Sequence, residues 1–158
     1  MQRKYHYRRY LPHYQKENRS LFITYSTWQR WHLPDVARTL ALESCLRANG
    51  RKYTLYAAVV MPDHVHLICL PLSDAKGLIS IPEITRTIKS ESAHRINEAL
   101  GRTGRVWQDE SFDHVLRGCE CLRGKVDYIL QNPVRARLAD RWDLCRWLWW
   151  DAALVAAA

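Results

Sequence analysis

The chain of 158 residues has the length of one domain, and its 47% apolar and 25% charged residues are ordinary for a globular protein. Its net charge of +8 is unusual and favours a polyanionic partner, either nucleic acid or an anionic membrane surface. No apolar run approaches the roughly 20 residues that span a bilayer, and no apolar segment of a secretory signal follows the basic N-terminus. The five cysteines are an odd number without zinc-ribbon or redox spacing. We therefore expect reduced thiols and a cytoplasmic location.

The first 19 or so residues form a basic arm in which tyrosines alternate with cations that include Arg8 and Arg9. Two interpretations are equally open. The arm is a solvated tail with some rings packed on the body, or it stacks on bases and neutralises the phosphates of single-stranded nucleic acid.

The rest of the chain predicts alternating strands and helices. A capping-box spacing at Ser80 and Glu83 begins one helix, which ends before Gly101. Pro133 disfavours helical geometry in the residue before it, so the last helix is expected to end at Asn132. The predicted strands cover 20–28, 53–60, a segment after Pro62 and an interrupted stretch over 106–108 and 112–117, and the predicted helices cover 35–49, 81–100 and 120–132.

This order predicts an α+β fold with a single antiparallel sheet of about four to five strands. We expect the helices on one face of the sheet and the other face open. The whole chain, 1–158, is predicted to be one domain, and the Trp-rich tail over about 140–158 is expected to close the core as a hydrophobic anchor.

Two histidines lie two residues apart in the apolar third strand. Because side chains alternate along a strand, His64 and His66 share one face while Val65 and Leu67 point to the other. Two imidazoles side by side are half of a divalent-metal site. The alternative is a half-buried strand whose polar face happens to carry two histidines, and this short motif alone favours that alternative.

A second informative stretch lies on the last helix. Tyr128 and Asn132 are four residues apart and so share a helix face. A tyrosine phenol is a candidate nucleophile toward phosphorus, and an amide oxygen is a suitable ligand for Mg²⁺ or Mn²⁺. The alternative is a helix that packs through Tyr128 and is capped by Asn132.

Six motifs in this order give the chain a family resemblance. It resembles the REP-associated tyrosine transposases, which are single-tyrosine members of the HUH endonuclease superfamily and relatives of the insertion-sequence-200-like transposases. One departure is Arg137, where such proteins usually have Gly. The motifs are Tyr10-Leu-Pro-His13, Phe22-Ile-Thr24, Met61-Pro-Asp-His-Val-His-Leu67, Ile88-Lys-Ser90, Val106-Trp-Gln-Asp-Glu-Ser-Phe-Asp-His114 and Tyr128-Ile-Leu-Gln-Asn-Pro-Val134.

The resemblance implies a ferredoxin-like HUH fold and an enzyme that cleaves and rejoins single-stranded DNA at hairpin-forming repeats. It makes His64, His66 and Asn132 the ligands of Mg²⁺ or Mn²⁺. It makes Tyr128 the nucleophile, which forms a 5′-phosphotyrosine link and releases a 3′-hydroxyl. The implied partner is single-stranded or hairpin DNA, the implied state a monomer or homodimer, and no nucleotide cofactor is expected.

The basic surface then has a candidate role in gripping the hairpin or its flanks. The residues predicted to contact DNA are Arg8, Arg9, Arg86, Lys89, Trp107, His114 and Arg117. Two rival hypotheses remain open. One is a non-catalytic module that binds hairpin DNA or RNA, and the other is a metal-dependent nuclease that uses activated water.

Overall fold

The computed structural model describes residues 19–158, without the side chains of Cys119 and Glu120. The predicted basic arm, with Arg8 and Arg9, therefore lies outside the described residues. The strands are β1 (Leu21–Thr27), β2 (Tyr53–Val60), β3 (His64–Pro71), β4 (Ser73–Asp74), β5 (Gly77–Leu78), β6 (Trp107–Val115) and β7 (Leu148–Trp150). The α-helices are α1 (Asp35–Ala48), α2 (Ile81–Leu100), α3 (Gly118–Arg135) and α4 (Ala152–Ala157).

Five strands form one sheet in the order β6-β1-β3-β2-β7, and each pair of neighbours is antiparallel. Strands β4 and β5 form a small separate hairpin. The predicted α+β class and antiparallel sheet are confirmed. Within residues 19–158, no helix has the length and apolar content needed to cross a membrane.

Helices cover both faces of the sheet, which corrects our expectation of helices on one face. Helices α1 and α2 pack on the face that carries Ile23 and Tyr25. Helices α3 and α4 pack on the face that carries Phe22 and Ile68. The reason is visible in β2, which is buried at seven of its eight positions and so needs cover on both sides.

The predicted helix ends agree with the structure at α2 and disagree at α3. Ser80 caps α2 by accepting a hydrogen bond from the Glu83 amide at 3.2 Å, and Gly101 ends the helix at φ 59°. Helix α3 was expected to end at Asn132, but it continues through Pro133 to Arg135. A proline so near the end of a helix removes few backbone bonds, and packing of α3 on the sheet offsets the loss.

The Trp-rich tail completes the sheet. Its strand β7 pairs with β2, with Trp149 opposite Ala58. Trp147 and Trp149 pack against the core under α1 and α2, while Trp150 packs against the core under α3. The predicted hydrophobic anchor is confirmed, and it includes an edge strand that the sequence interpretation missed.

Candidate active site

Strand β3 presents both histidines to the face of the sheet that is covered by α3. Val65 and Leu67 are fully buried in the core on the opposite face, as the alternation of a strand requires. The ring centroids of His64 and His66 are 4.7 Å apart. His66 is 7% exposed, whereas His64 is more open to solvent. The predicted side-by-side pair is therefore present.

One nitrogen of each imidazole is fixed by a neighbouring side chain. His66 Nδ1 is hydrogen-bonded to Thr24 Oγ1 at 2.6 Å, across the β1–β3 ladder. His64 Nδ1 donates to the Asp63 carboxylate at 2.7 Å, and Arg30 approaches the other carboxylate oxygen at 3.4 Å. Engagement of each Nδ1 sets the ring orientation and leaves each Nε2 for a ligand, as in metal-binding histidines.

The protonation states suit metal binding. Burial, together with the charges of His64, Lys125 and Arg135, lowers the pKa of His66 to about 3. Its imidazole is therefore neutral near pH 7, and the neutral form is the one that binds metal. Burial alone would raise the pKa of Asp63, but the hydrogen bond from His64 and the nearby charges of His64, Arg30 and His32 outweigh it, and the net pKa is lowered. An ionised Asp63 is a strong acceptor for the His64 N–H.

Helix α3 brings Tyr128 to the histidines. Val126, Ile129 and Leu130 bury the inner side of the helix, and Tyr128 lies at its boundary with 39% of its surface exposed. The Tyr128 ring meets His66 edge-on at 5.7 Å between centroids. Its hydroxyl makes no hydrogen bond to any described residue. An accessible phenol thus lies beside the imidazole pair within one chain.

Two cations flank this phenol. The guanidinium of Arg135 lies 4.5 Å from the centre of the Tyr128 ring and donates to the Tyr128 carbonyl at 2.8 Å. The Lys125 ammonium lies 5.5 Å from the same ring. Both charges favour the binding of an anionic group, such as a phosphate, at this position.

The donor set fits a divalent metal. Among the side chains that the structure describes, no third His, Cys, Asp or Glu joins the two imidazoles. A third protein ligand would then be an amide. Asn132 lies one turn beyond Tyr128, is half-buried and makes no side-chain hydrogen bond to a described residue. Imidazole nitrogen and amide oxygen, completed by water, are suitable donors for Mn²⁺ or Mg²⁺.

The predicted DNA-contact residues separate into two groups. Trp107 is only 5% exposed, and its indole N–H donates to Ser92 at 2.9 Å, so it is not presented to DNA. The Lys89 ammonium donates to the β6 segment at the carbonyl of Asp109, 3.1 Å away, so it holds protein backbone. The residues that are exposed at the surface are Arg86, His114 and Arg117, and Arg86 lines a cleft of about 430 Å³ between α2 and β6.

Several residues at the site were missed by the sequence interpretation, although each had a signal. Lys125 and Arg135 lie three residues before and seven after Tyr128, which places all three on one helix face. Phe22 and Thr24 are two residues apart on β1, the strand next to β3, and so lie on the same face as the histidines. Phe22 stacks on His66 with ring centroids 5.3 Å apart. Reading these positions needed the strand order, which the sequence does not state.

Comparison with known proteins identifies the family. Residues 35–116, about half of the chain, match the family described as Transposase IS200 like. The matched range contains both histidines and ends before the helix that carries Tyr128. The chain belongs to this family of transposases.

Within the family, the similarity is to REP-associated tyrosine transposases, as the motifs indicated. The Haemophilus influenzae protein of that description is 32% identical over 85 residues, which are 50% of this chain and 48% of that protein. The Escherichia coli K12 protein is 33% identical over 88 residues, which are 55% of this chain and 48% of that protein. The chain thus spans about half the length of the curated relatives it matches.

A solved structure shares the fold. It is that of a REP-associated tyrosine transposase bound to a REP hairpin, with a TM-score of 0.65 and 24% sequence identity. The match covers 83% of this chain and 76% of the other.

Proposed function

We propose that this transposase cleaves and rejoins single-stranded DNA at hairpin-forming REP elements through a covalent link to Tyr128. One observation carries the proposal. The Tyr128 ring lies 5.7 Å from the ring of His66, in a pair of histidines whose Nδ1 atoms are both engaged by neighbouring side chains. A nucleophile and half of a metal site thus meet within one chain.

The covalent step is a transesterification at phosphorus. The Tyr128 oxygen forms a bond to the scissile phosphorus as its proton leaves, and the bond from phosphorus to the 3′ oxygen of the preceding nucleotide breaks. That oxygen takes up a proton and becomes a free 3′-hydroxyl, while the 5′ phosphate remains on the tyrosine. The reverse attack by a 3′-hydroxyl rejoins DNA, and the phosphotyrosine bond supplies the energy.

The protein groups around the phenol have separate tasks. His64, His66 and Asn132 would hold a divalent ion, Mg²⁺ or Mn²⁺, which when bound polarises the scissile phosphate. Arg135 and Lys125, at 4.5 and 5.5 Å from the Tyr128 ring, stabilise the developing charge on the phenol oxygen and the phosphate. Thr24 and Asp63 fix the rings of the two histidines.

The charge of the chain supports DNA as the partner. With a net charge of +8, binding should release several counterions. The logarithm of the affinity should therefore fall linearly with the logarithm of salt concentration, with a slope close to the number of phosphates contacted. A flat salt dependence would count against DNA. Arg86, Arg117 and His114 are candidates for these contacts because their side chains are exposed.

A monomer supplies every residue of the proposed site, although homodimers are compatible with it.

The free cysteines among the described residues agree with action in the cytoplasm. They are Cys45, Cys69, Cys121 and Cys145.

The decisive experiment is adduct formation. The protein is incubated with Mn²⁺ or Mg²⁺ and labelled hairpin oligonucleotides that carry single-stranded flanks, taken from REP elements. A denaturing gel then reports a protein–DNA species. We expect an adduct with the intact protein and none with Tyr128→Phe. The matched control is Tyr56→Phe, which removes the hydroxyl of a buried tyrosine outside the site and should leave adduct formation unchanged.

Other outcomes select the rival hypotheses. Cleavage that persists in Tyr128→Phe would show a nuclease that uses activated water. Tight hairpin binding without cleavage of any REP sequence would favour the non-catalytic binding module.

A further inference from the structure

Strand β6 departs from regular pairing beside the histidines. It pairs with β1 up to Tyr25 and Ser111, but the next pair is Thr27 with Trp107. One residue of β1, Ser26, therefore lies opposite three residues of β6, and the segment 108–110 bulges from the sheet edge. Bulges at sheet edges frequently aim side chains at functional sites.

The bulge is fixed from two sides. From α2, the Lys89 ammonium donates to the carbonyls of Asp109 at 3.1 Å and Glu110 at 3.4 Å, and to the Ser111 hydroxyl at 3.2 Å. The side-chain amide of Gln108 donates to the Thr27 carbonyl at 3.1 Å. These contacts preorganise the backbone of the bulge before any ligand binds.

The bulge forms one wall of a cleft next to the proposed active site. The cleft has a volume of about 270 Å³ and is lined by residues that include Thr24, Ser26, Gln108, Glu110 and Phe112. Thr24, whose hydroxyl contacts His66, pairs with His66 on one side and with Phe112 on the other. Cross-strand partners share a face of the sheet, so Phe112 lies on the same face as His66, two strand spacings or about 10 Å away.

The chemistry of the cleft suits a base. Phe112 is 56% exposed, which is unusual for a phenylalanine on a strand. An exposed ring in a basic protein is a stacking platform for an unpaired base. The carboxylate of Glu110 can accept a hydrogen bond from the exocyclic amino group of a base. The cleft volume, below that of drug-sized pockets, suits a single base.

We infer that this cleft binds one unpaired nucleobase of the DNA strand beside the scissile phosphate. Phe112 stacks on the base, and Glu110 selects bases that carry an exocyclic amino group over thymine. The inference rests on the proposed function, because it places the base next to Tyr128 and the histidines. The cations Lys125 and Arg135 remain for the backbone of the same strand.

Binding of simple single strands tests the inference without any cleavage. Fluorescent dC, dA and dT oligonucleotides of about 12 nucleotides are titrated, in EDTA, into protein that carries Tyr128→Phe. Adding Phe112→Ala should weaken binding of all three by about tenfold, and Phe112→Trp should retain it. The control is Leu144→Ala, which shortens another exposed apolar side chain, 62% exposed and in the tail, and should leave binding unchanged.

Glu110→Gln tests the selectivity of the cleft. The starting protein should prefer dC and dA over dT, and the glutamine, which both donates and accepts, should bring the three affinities together. The inference is overturned if Phe112→Ala binds within about twofold of its parent, if Leu144→Ala weakens binding as much, or if no oligonucleotide binds. Its failure is distinct from that of the proposed function. An adduct on Tyr128 with no effect of Phe112→Ala refutes the cleft alone, and the opposite result refutes the chemistry alone.

Discussion

The carboxylate of Asp63 should control metal affinity through the orientation of His64. It accepts the Nδ1–H of His64 at 2.7 Å and so fixes the ring with Nε2 outward. Removing such a partner from a metal-binding histidine typically costs 10- to 100-fold in metal affinity. We therefore expect Asp63→Ala to raise the Kd for Mn²⁺ by about 10- to 100-fold, which is about 1.4–2.8 kcal/mol. Isothermal titration calorimetry of the full chain measures it.

Three matched variants sharpen this test. Asp63→Asn keeps an acceptor oxygen and should lose less affinity than Asp63→Ala. Arg30→Ala removes a contact of 3.4 Å from a side chain that is 61% exposed, so it should change the Kd by less than about threefold. Asp143→Ala breaks a tail ion pair with Arg141 and should have no effect. If Asp63→Ala, folded by circular dichroism, binds Mn²⁺ as tightly as the parent, the orientation argument is refuted.

Three further predictions concern the phenol, the end of α3 and the assembly of the site. Arg135→Ala should slow adduct formation by about tenfold without changing Mn²⁺ affinity, because it removes the cation over the Tyr128 ring. If Arg137→Ala slows adduct formation equally, the role assigned to Arg135 is contradicted. Arg137→Gly should raise the free energy of unfolding by about 1 kcal/mol and the melting temperature by about 2–4 °C, because φ at this position is 58°. Arg137→Ala keeps a Cβ and should change the free energy of unfolding little. If Arg137→Ala stabilises the protein as much as Arg137→Gly, the backbone explanation is refuted. A mixture of His64→Ala and Tyr128→Phe proteins should form no adduct, because each chain builds its own site, and recovery of adduct would show a shared one.

Local signals in the sequence were enough to predict several strands and helices and their ends. The strand over Tyr53–Val60 was predicted with its observed bounds, because it is a short apolar run between turn residues. The capping spacing at Ser80 and the glycine at position 101 set both ends of α2. Arg137, where the family resemblance led us to expect Gly, lies at a φ of 58°, a backbone conformation that favours glycine.

Other outcomes depended on contacts between distant segments. The sequence interpretation assigned Trp107 to DNA contact, but its ring is buried in the core, where it contacts Tyr25 and Ser92. Lys89 looks like a phosphate ligand, but the bulge of β6 uses its three donors. A sequence gives the chemistry of a side chain, while its partners depend on how the sheet and helices pack.

The sequence by itself determined that His64 and His66 share a face, because the alternation of a strand is a local property. It also determined that Tyr128 and Asn132 lie on one side of a helix, for the same kind of reason. Only the tertiary structure decided that α3 packs on the histidine face of the sheet and brings the Tyr128 ring within 5.7 Å of His66. That placement comes from burying Val126, Ile129 and Leu130 against β2 and β3, a contact between residues some 60 positions apart that no local pattern encodes.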